Sequence, residues 1–207
     1  MSIAGLLIRR ERLARGWSQE GLCRGICTAS YLSKIEQGRA EASDEVRELL
    51  FARLGLSWTE DSDGALHTRT EECMEALLSG SGAAFKAAFE PLRAEEERFL
   101  GSPCAADYLL LRTFACENEG ERRPLDTEFV PFLDQRQLAL QRALEERYEE
   151  AVLLYPAPVL RLWQGASLYA RGRYAAAIET LRVACDAAAA EGFACIMMNG
   201  RVYLGNC

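Results

Sequence analysis

The segment TASYLSKIEQG, residues 28–38, combines apolar and hydrogen-bonding side chains at helical spacing. Leu32 and Ile35 are three residues apart, so they share the face that points towards a core. The opposite face carries short side chains and one cation: Ala29, Ser30, Ser33, Lys34 and Gln37. A solvated surface helix usually carries more charge than this. Such a face suits a helix that enters a groove and exchanges hydrogen bonds and methyl contacts with its walls.

Both ends of this helix are marked in the sequence. Thr28 is a good N-cap, because its hydroxyl oxygen accepts a hydrogen bond from an unpaired backbone N–H of the first turn. Gly38 stands where a helix commonly ends in a left-handed residue. We therefore predict a short, well-capped helix between these two positions.

Three further short helices are predicted in the first sixty residues. IAGLLIRRERLAR is amphipathic and stops at Gly16, and its predicted apolar side contains Leu6, Leu7, Ile8 and Leu13. Ser18 is the N-cap of a helix in QEGLCRG. DEVRELLFARLG follows the loop RAEAS, and its apolar positions are Val46, Leu49, Leu50 and Leu54. Two short helices within residues 19–37 make a helix-turn-helix, whose second helix enters the major groove of DNA.

The net charge of −7 hides an asymmetry along the chain. Residues 1–58 hold nine Arg and Lys against seven Asp and Glu, a net +2. The remaining 149 residues hold fifteen against twenty-four, a net −9. Because cations need only face phosphates locally, an acidic protein with a basic N-terminal end is compatible with binding to double-stranded DNA.

No apolar run reaches the ~18 residues expected of a membrane span. The start, MSIAGLLIRRERLARG, has an apolar patch too short for a signal peptide, with the basic residues on the wrong side of it. We therefore expect a cytoplasmic protein without a membrane partner.

The sequence GWSQEGLCRGICTASYLSKIEQGRAEAS resembles the phage-repressor (XRE, or Cro/C1) class of helix-turn-helix domains. It is most similar to the Rgg/PlcR type of Gram-positive peptide-responsive regulators, because Leu22 to Tyr31 is one residue shorter than in the generic class. The resemblance covers roughly residues 4–58. Two positions depart from it: Gly21 stands where a Glu would complete a capping box, and Glu11 stands at a position that is usually apolar.

The resemblance implies a role for each matching position. Gln19 corresponds to a residue that hydrogen-bonds a phosphate. Base edges would be contacted by Ala29, Ser30 and Lys34, with Lys34 donating to guanine and Ala29 touching a thymine methyl. Arg12 and Glu36 correspond to a structural pair that ties the first helix to the third.

Three further positions leave two interpretations open. Tyr31 and Ser33 either pack against the domain or contact phosphate, and Arg39 either contacts phosphate or is solvated. The predicted DNA-binding set is Gln19, Thr28, Ala29, Ser30, Tyr31, Ser33, Lys34 and Arg39.

Eight cysteines are scattered along the chain without paired spacing. Cys23 and Cys27 are four apart, a spacing that fits two metal ligands or a redox pair on one helical face. Gly25 and the turn separate them, and the one histidine, His67, is far along the chain. We interpret the two as buried structural thiols and expect no metal and no cofactor.

From residue 61 onward the sequence is predicted to be helical, with no alternating strand-like run. The predicted helix pairs are 68–79 with 82–99, 103–117 with a block in 125–155, and 157–171 with 174–190, before a last helix near residue 192. Two of the spacings between pairs lie close to the 34 residues of a tetratricopeptide repeat.

The segment LWQGASLYARGRYAAAIETLRVA resembles such a repeat, with Gly165 and Ala177 as the small residues where two antiparallel helices touch. We predict an all-α protein, with a helix-turn-helix domain in 1–60 and a tetratricopeptide-like helical repeat domain in 61–207. A generic helical bundle is the alternative for the second domain.

The resemblance to Rgg/PlcR-type regulators implies that the repeats form a homodimer and bind a signalling peptide, clamped by asparagines, as in quorum sensing. The chain has three asparagines. Asn118 is predicted in a loop, and Asn199 and Asn206 in the last helix, so Asn199 is the candidate peptide contact. CIMMNGRVYLGNC crowds apolar residues at the end of the chain, which predicts either a truncated repeat domain or a helix hidden in a dimer interface.

These features favour a DNA-binding transcription regulator whose helical domain dimerises and senses a signalling peptide or partner protein. The alternative is a protein-interaction or antitoxin-like module whose DNA binding is autoregulatory. An enzyme is not expected, because the sequence has no phosphate loop, no metal-ligand spacing and no catalytic constellation.

Overall fold

The computed structural model describes residues 2–116 and 122–207, and within these ranges it contains helices and no strand. The predicted all-α fold is confirmed. Asn118, which was predicted in a loop, lies outside the described residues. No helix of the described ranges combines the length and the apolar character that crossing a membrane requires.

The N-terminal region consists of four helices. They are α1 (Ile3–Ala14), α2 (Gln19–Cys23), α3 (Ala29–Glu36) and α4 (Asp44–Arg53). Each begins at a hydroxyl side chain that accepts a hydrogen bond from the first turn: Ser2, Ser18, Thr28 and Ser43. Gly16 and Gly38, with φ of 66° and 69°, follow α1 and α3 in the left-handed conformation that favours glycine.

These four helices enclose their own small core. Ile8, Leu22, Leu32, Ile35 and Leu50 are fully buried in it. Leu13 and Leu49 were also predicted on the apolar faces of α1 and α4, but both are exposed.

Leu13 is 55% exposed and Leu49 is 45% exposed. In α1 the inward position next to Leu13 is taken by Arg12, which is buried, because that guanidinium has a partner inside the domain. Helical spacing alone does not show that a charged residue will occupy the inward face.

The C-terminal region contains nine α-helices in its described residues. They are α5 (Ala65–Leu78), α6 (Gly82–Ala94), α7 (Glu96–Leu100), α8 (Ala105–Phe114), α9 (Gln135–Leu144), α10 (Tyr148–Leu154), α11 (Pro158–Ala170), α12 (Tyr174–Glu191) and α13 (Ala194–Asn206). A 3-10 helix, Thr127–Phe132, lies between α8 and α9.

Consecutive helices pack as pairs in this region. The pairs are α5 with α6, α9 with α10, and α11 with α12, and α13 packs on α12. The block predicted within 125–155 consists of the 3-10 helix, α9 and α10, and Asp134, which forms a capping box with Gln137, starts α9. The predicted helix 82–99 is likewise two helices, since α6 ends at Ala94, three residues after Pro91.

The α11–α12 pair has the close approach that the small residues predict. A Cβ added at Gly165 would lie 2.6 Å from Leu181 Cδ2, and Ala177 is fully buried. The C-terminal region is helical and repeat-like, whereas its identity as tetratricopeptide repeats stays a prediction.

A stack of aromatic rings fills the core between α6, α7 and α8. Tyr108 lies between Phe89 and Phe99, with ring centroids 5.8 and 5.5 Å away. Large apolar surface is buried by this stack, which stabilises the start of the helical region.

The two regions meet along α1. Ile3 and Leu6 pack against Ala105 and Ala106 of α8 and against Phe129 of the 3-10 helix. In the segment that follows α4, Thr59 N–H donates to Gly101 O, just after α7, at 2.7 Å. One face of α1 therefore belongs to the N-terminal core and another to the junction with the helical region.

Candidate nucleic-acid interface

Helices α2 and α3 are joined by a short turn, and hydrogen bonds stabilise both the end of α2 and the start of α3. Gly25 has a φ of 75°, and Thr28 Oγ1 accepts from Tyr31 N–H at 3.2 Å to start α3. Arg53 of α4 donates through its NH1 to the carbonyls of Leu22 and Arg24, at 2.9 and 2.5 Å. These two carbonyls lie at the C-terminal end of α2, where backbone acceptors lack intrahelical partners.

A buried ion pair sets the direction of α3. Arg12 Nε donates to Glu36 Oε1 at 2.7 Å and Arg12 NH2 to Glu36 Oε2 at 2.9 Å, while NH1 donates to Trp17 O at 2.7 Å. The two residues are 8% and 2% exposed. The hydrogen bond with Glu36 raises the pKa of Arg12 above its ordinary value. The structure therefore brings together the two residues to which the sequence assigns this pairing, and α1 and α3 are held in one orientation.

Gln19, which was predicted to contact phosphate, also belongs to this network. Its Nε2 donates to Glu36 Oε2 at 2.8 Å, and its side chain is half-buried. One amide hydrogen is thus engaged within the domain, while the phosphate contact stays a prediction.

On the outward face of α3, some side chains are exposed to solvent and others form hydrogen bonds within the domain. Ser30 and Lys34 are exposed, as is the capping Thr28, and Ala29 is half-buried. Tyr31 packs on the core, and its hydroxyl donates to Glu41 O at 2.8 Å. Ser33 accepts from Gln37 Nε2 at 2.9 Å. These contacts favour the packing interpretation for Tyr31 and leave Ser30 and Lys34 as the side chains available to a ligand.

Most cations of residues 2–58 are neutralised inside the protein. Arg9 and Arg10 pair with Glu128 and Asp126 of the helical region, at 3.3 and 2.6 Å, so they brace the junction. Arg15 pairs with Glu11. Arg47 pairs with Asp44 and with Glu60. The arginines of α1 therefore contribute little positive charge to the helix-turn-helix surface.

Four cations of this region have no ion pair with any described residue, and one of them, Arg53, donates to backbone carbonyls instead. The other three are Arg24 in the turn, Lys34 on α3 and Arg39 just after α3, and all three are exposed. These three lie on α3 or within five residues of its ends along the chain. Arg24 and the bracing Arg53 were missed in the sequence analysis, although Arg24 lies inside the motif and its position in the turn could have identified it.

The remaining predicted residues lie elsewhere. Asn199 is exposed on α13, and its role as a peptide contact stays a prediction. Cys23 is 4% exposed and Cys27 is half-buried. Burial, with the neighbouring Cys23 adding to it, raises the pKa of Cys27, which fits a structural thiol rather than a reactive one.

Comparisons with known proteins agree with this geometry in the N-terminal region. Residues 8–60 match the family described as "Helix-turn-helix". Comparison with curated proteins gave no match.

Among solved structures, the chain is similar to PlcR of Bacillus thuringiensis, in a crystal structure with the peptide PapR7 and DNA. The identity is 13%, the TM-score is 0.39, and the match covers 100% of this chain and 87% of that one. At this TM-score the likeness carries no argument about what this chain binds.

The family match, the capped α2–turn–α3 unit and the Arg12–Glu36 pair describe the same segment of the chain. The N-terminal region is therefore a helix-turn-helix domain of the XRE type, followed by a helical, repeat-like region.

Proposed function

We propose that this protein is a sequence-specific DNA-binding transcription regulator that places α3 in the major groove. The observation that carries the proposal is a helix face of small polar side chains with three exposed, unpaired cations, Arg24, Lys34 and Arg39, on α3 and in the segments next to it. Phosphates on both sides of a major groove attract such cations, and the small side chains allow the helix to approach the base edges.

Within this proposal the side chains divide into two groups. Lys34 and Ser30 read base edges, because they are exposed on α3 and are not needed to hold the domain together. Arg24 and Arg39 lie at opposite ends of α3 and contact the phosphate backbone. Arg12 and Glu36 do not read bases, because each is buried and occupied by the other.

We further propose that the helical region forms a homodimer, as a helix-turn-helix protein needs to contact two half-sites of an operator. Support comes from α12 and α13, on which Val183, Met198 and Val202 are 44%, 67% and 63% exposed. Apolar side chains this exposed on neighbouring helices are typical of a surface that another protein covers. A signalling peptide or partner protein as the effector stays part of the proposal.

The proposal is tested by selecting bound DNA from a random pool and titrating the selected site in gel-shift assays. Arg39→Ala should reduce affinity and lower the slope of log K against log salt by about 1, since one phosphate contact is lost. Arg182→Ala is the matched control, because it removes an exposed cation of the helical region, on α12.

Enrichment of a single motif, with Arg182→Ala unchanged, supports specific binding through this face. Failure to enrich any motif, or equal losses in Arg39→Ala and Arg182→Ala, would contradict it.

A further inference from the structure

Four side chains of metal-ligating type converge where the chain leaves the helix-turn-helix domain. Asp61 lies in the segment before α5, His67 in the first turn of α5, Cys104 directly before α8 and Asp107 in its first turn. Ligand atoms of His67, Cys104 and Asp107 all lie within 4.8 Å of one another. His67 is the one histidine of the sequence, 37 residues before Cys104, so sequence spacing does not reveal this group.

Asp61 lies outside this group of three but contacts Cys104, so it offers an oxygen as a fourth ligand. The Cys104 thiol donates to Asp61 Oδ2 with Sγ and Oδ2 3.8 Å apart. In a tetrahedral zinc site, bond lengths of about 2.3 Å to sulfur and 2.0–2.2 Å to oxygen place these two ligand atoms about 3.6 Å apart. The observed separation is therefore close to one edge of a metal tetrahedron.

The carboxylates are already oriented by the surrounding chain. Asp61 accepts from the backbone N–H groups of Leu66 and His67, at 2.8 and 2.9 Å. Asp107 Oδ1 accepts from Nε2 of the buried Gln137 at 2.6 Å, which leaves Oδ2 available. Outer partners of this kind hold metal ligands in position in natural metal sites.

The charge of the site also favours a cation. Burial, together with the nearby carboxylates Glu71 and Asp134, raises the pKa of Asp107 to about 6, although the hydrogen bond from Gln137 opposes the shift. Arg136 is paired with those two carboxylates and not with Asp107. Asp107 is thus a half-buried carboxylate whose described hydrogen-bond partner is a neutral amide.

We propose that Asp61, His67, Cys104 and Asp107 bind one divalent transition-metal ion of the zinc type. A thiolate and an imidazole select such a metal over magnesium or calcium, which prefer oxygen ligands alone. On binding, the bond between the metal and Cys104 Sγ forms, and the thiol proton leaves to solvent. His67 is exposed, so rotation of its side chain closes the remaining distance and admits the ion.

The position of this site links it to the domain junction. Asp61 belongs to the connection between the regions, while Ala105 and Ala106, between the two α8 ligands, pack against α1 of the helix-turn-helix domain. A bound metal ties the connection to α5 and α8, so it restrains the helix-turn-helix domain relative to the helical region.

The test is a titration of the full chain, first stripped of metal with a chelator, with cobalt(II). We expect one equivalent to bind, with the absorption of tetrahedral cobalt and a thiolate-to-cobalt band, and zinc(II) should displace it. Cys104→Ala should remove the thiolate band. His67→Ala, at an exposed position that the fold does not need, should weaken cobalt binding more than about 100-fold, since loss of an outer partner alone costs 10–100-fold.

Cys195→Ser is the control, because it removes an exposed thiol on α13, and it should leave the titration unchanged. Absence of the thiolate band in the unaltered chain, or a titration unaffected by His67→Ala, would overturn the proposal. So would a band that disappears in Cys27→Ser and persists in Cys104→Ala. If Cys104→Ala does not fold, His67→Ala decides the question by itself.

Discussion

In the helix-turn-helix domain every α-helix starts at a side-chain cap, whereas most helices of the C-terminal region start without one. Ser2, Ser18, Thr28 and Ser43 cap α1–α4. Among α5–α13, Ser81 and Asp134 are N-cap residues with a side-chain hydrogen bond, and the Asp61 carboxylate accepts from the first turn of α5. The uncapped helices include α11 and α12, of 13 and 18 residues.

The two regions also differ in what fills the contacts between helices. In the N-terminal domain the α1–α3 contact includes a buried ion pair, whose Arg12 also donates to Trp17 O before α2 and whose Glu36 also accepts from Gln19 of α2. In the C-terminal region the α11–α12 contact is apolar, with Gly165 against Leu181 and with Ala177 and Ala184 fully buried.

For α11 and α12 this difference follows from helix length, whereas the short α7, α8 and α10 also start without a cap. Helices of five to twelve residues gain little from burial alone and are marginal in isolation, so local caps and polar pairs must specify them. Long helices bury a continuous face and are stabilised by packing. A DNA-reading helix has an additional reason to be held by polar pairs, because its outward face must stay free.

The largest effect is expected from breaking the buried ion pair between α1 and α3. Arg12→Ala should reduce the free energy of unfolding of the N-terminal domain by about 3–5 kcal/mol, because Glu36 is left buried without a partner. Denaturant unfolding of the full chain, with hydrogen exchange to assign the loss to α1–α4, measures it.

The control is Arg15→Ala, whose ion pair with Glu11 is partly exposed and should contribute at most about 1 kcal/mol. An unchanged unfolding free energy with lost DNA binding would instead make Arg12 a contact residue.

The contribution of the apolar contact between α11 and α12 is tested by Leu181→Ala. This change should reduce the stability of the C-terminal region by about 2–5 kcal/mol, because Leu181 is fully buried against Gly165 and its removal leaves a cavity. Hydrogen exchange should show increased opening of α11–α13, with α1–α4 protected as before.

Leu153→Ala is the matched control, because it makes the same change at an 85% exposed position on α10. Equal losses in Leu181→Ala and Leu153→Ala would show that packing does not hold this pair together.

The division between bracing and reading residues is sharpened by two changes in the helix-turn-helix. Lys34→Ala should cost about 1–3 kcal/mol of DNA binding and relax the preference at particular base pairs, because an exposed base-edge contact is lost. Gln19→Ala should weaken binding to all sequences alike, since it removes the predicted phosphate contact together with the hydrogen bond to Glu36. Gel-shift titrations on the selected site and on single-base variants measure both. Unchanged affinity and preference in Lys34→Ala would contradict the placement of α3 in the groove.

The smallest effect concerns the caps themselves. Thr28→Ala should destabilise α3 by about 1 kcal/mol, because Tyr31 N–H loses its acceptor. Ser81→Ala removes the corresponding cap of α6, whose 13 residues include the buried Phe85 and Phe89, and local hydrogen exchange should change less there. If α6 opens as much as α3, the link between helix length and dependence on caps is wrong.

Much of the N-terminal domain was predictable because its determinants are local. Ser18 and Thr28 were recognised as caps, and Gly16 and Gly38 as helix ends, from residues within one turn of each. The resemblance of residues 4–58 to helix-turn-helix domains agrees with the family match to 8–60.

Two kinds of prediction from the sequence differ from the structure. One concerns which apolar residues of a helix are buried, and the other concerns where a long hydrophobic segment divides into separate helices. Leu13 and Leu49 satisfy helical spacing but are exposed, because spacing identifies an apolar stripe and not which part of it meets a neighbour. In the C-terminal region the capping box at Asp134 divides a block that hydrophobic pattern alone joined together.

Local sequence determined the helices, their caps and the types of side chain on the face of α3. Tertiary structure decided which charges remain available, because Arg9 and Arg10 are neutralised by acids more than 110 residues away. It also decided that Asp61, His67, Cys104 and Asp107 meet at the junction. Coulomb interactions and metal coordination depend on distance in space, and distance along the chain does not report it beyond a few turns of helix.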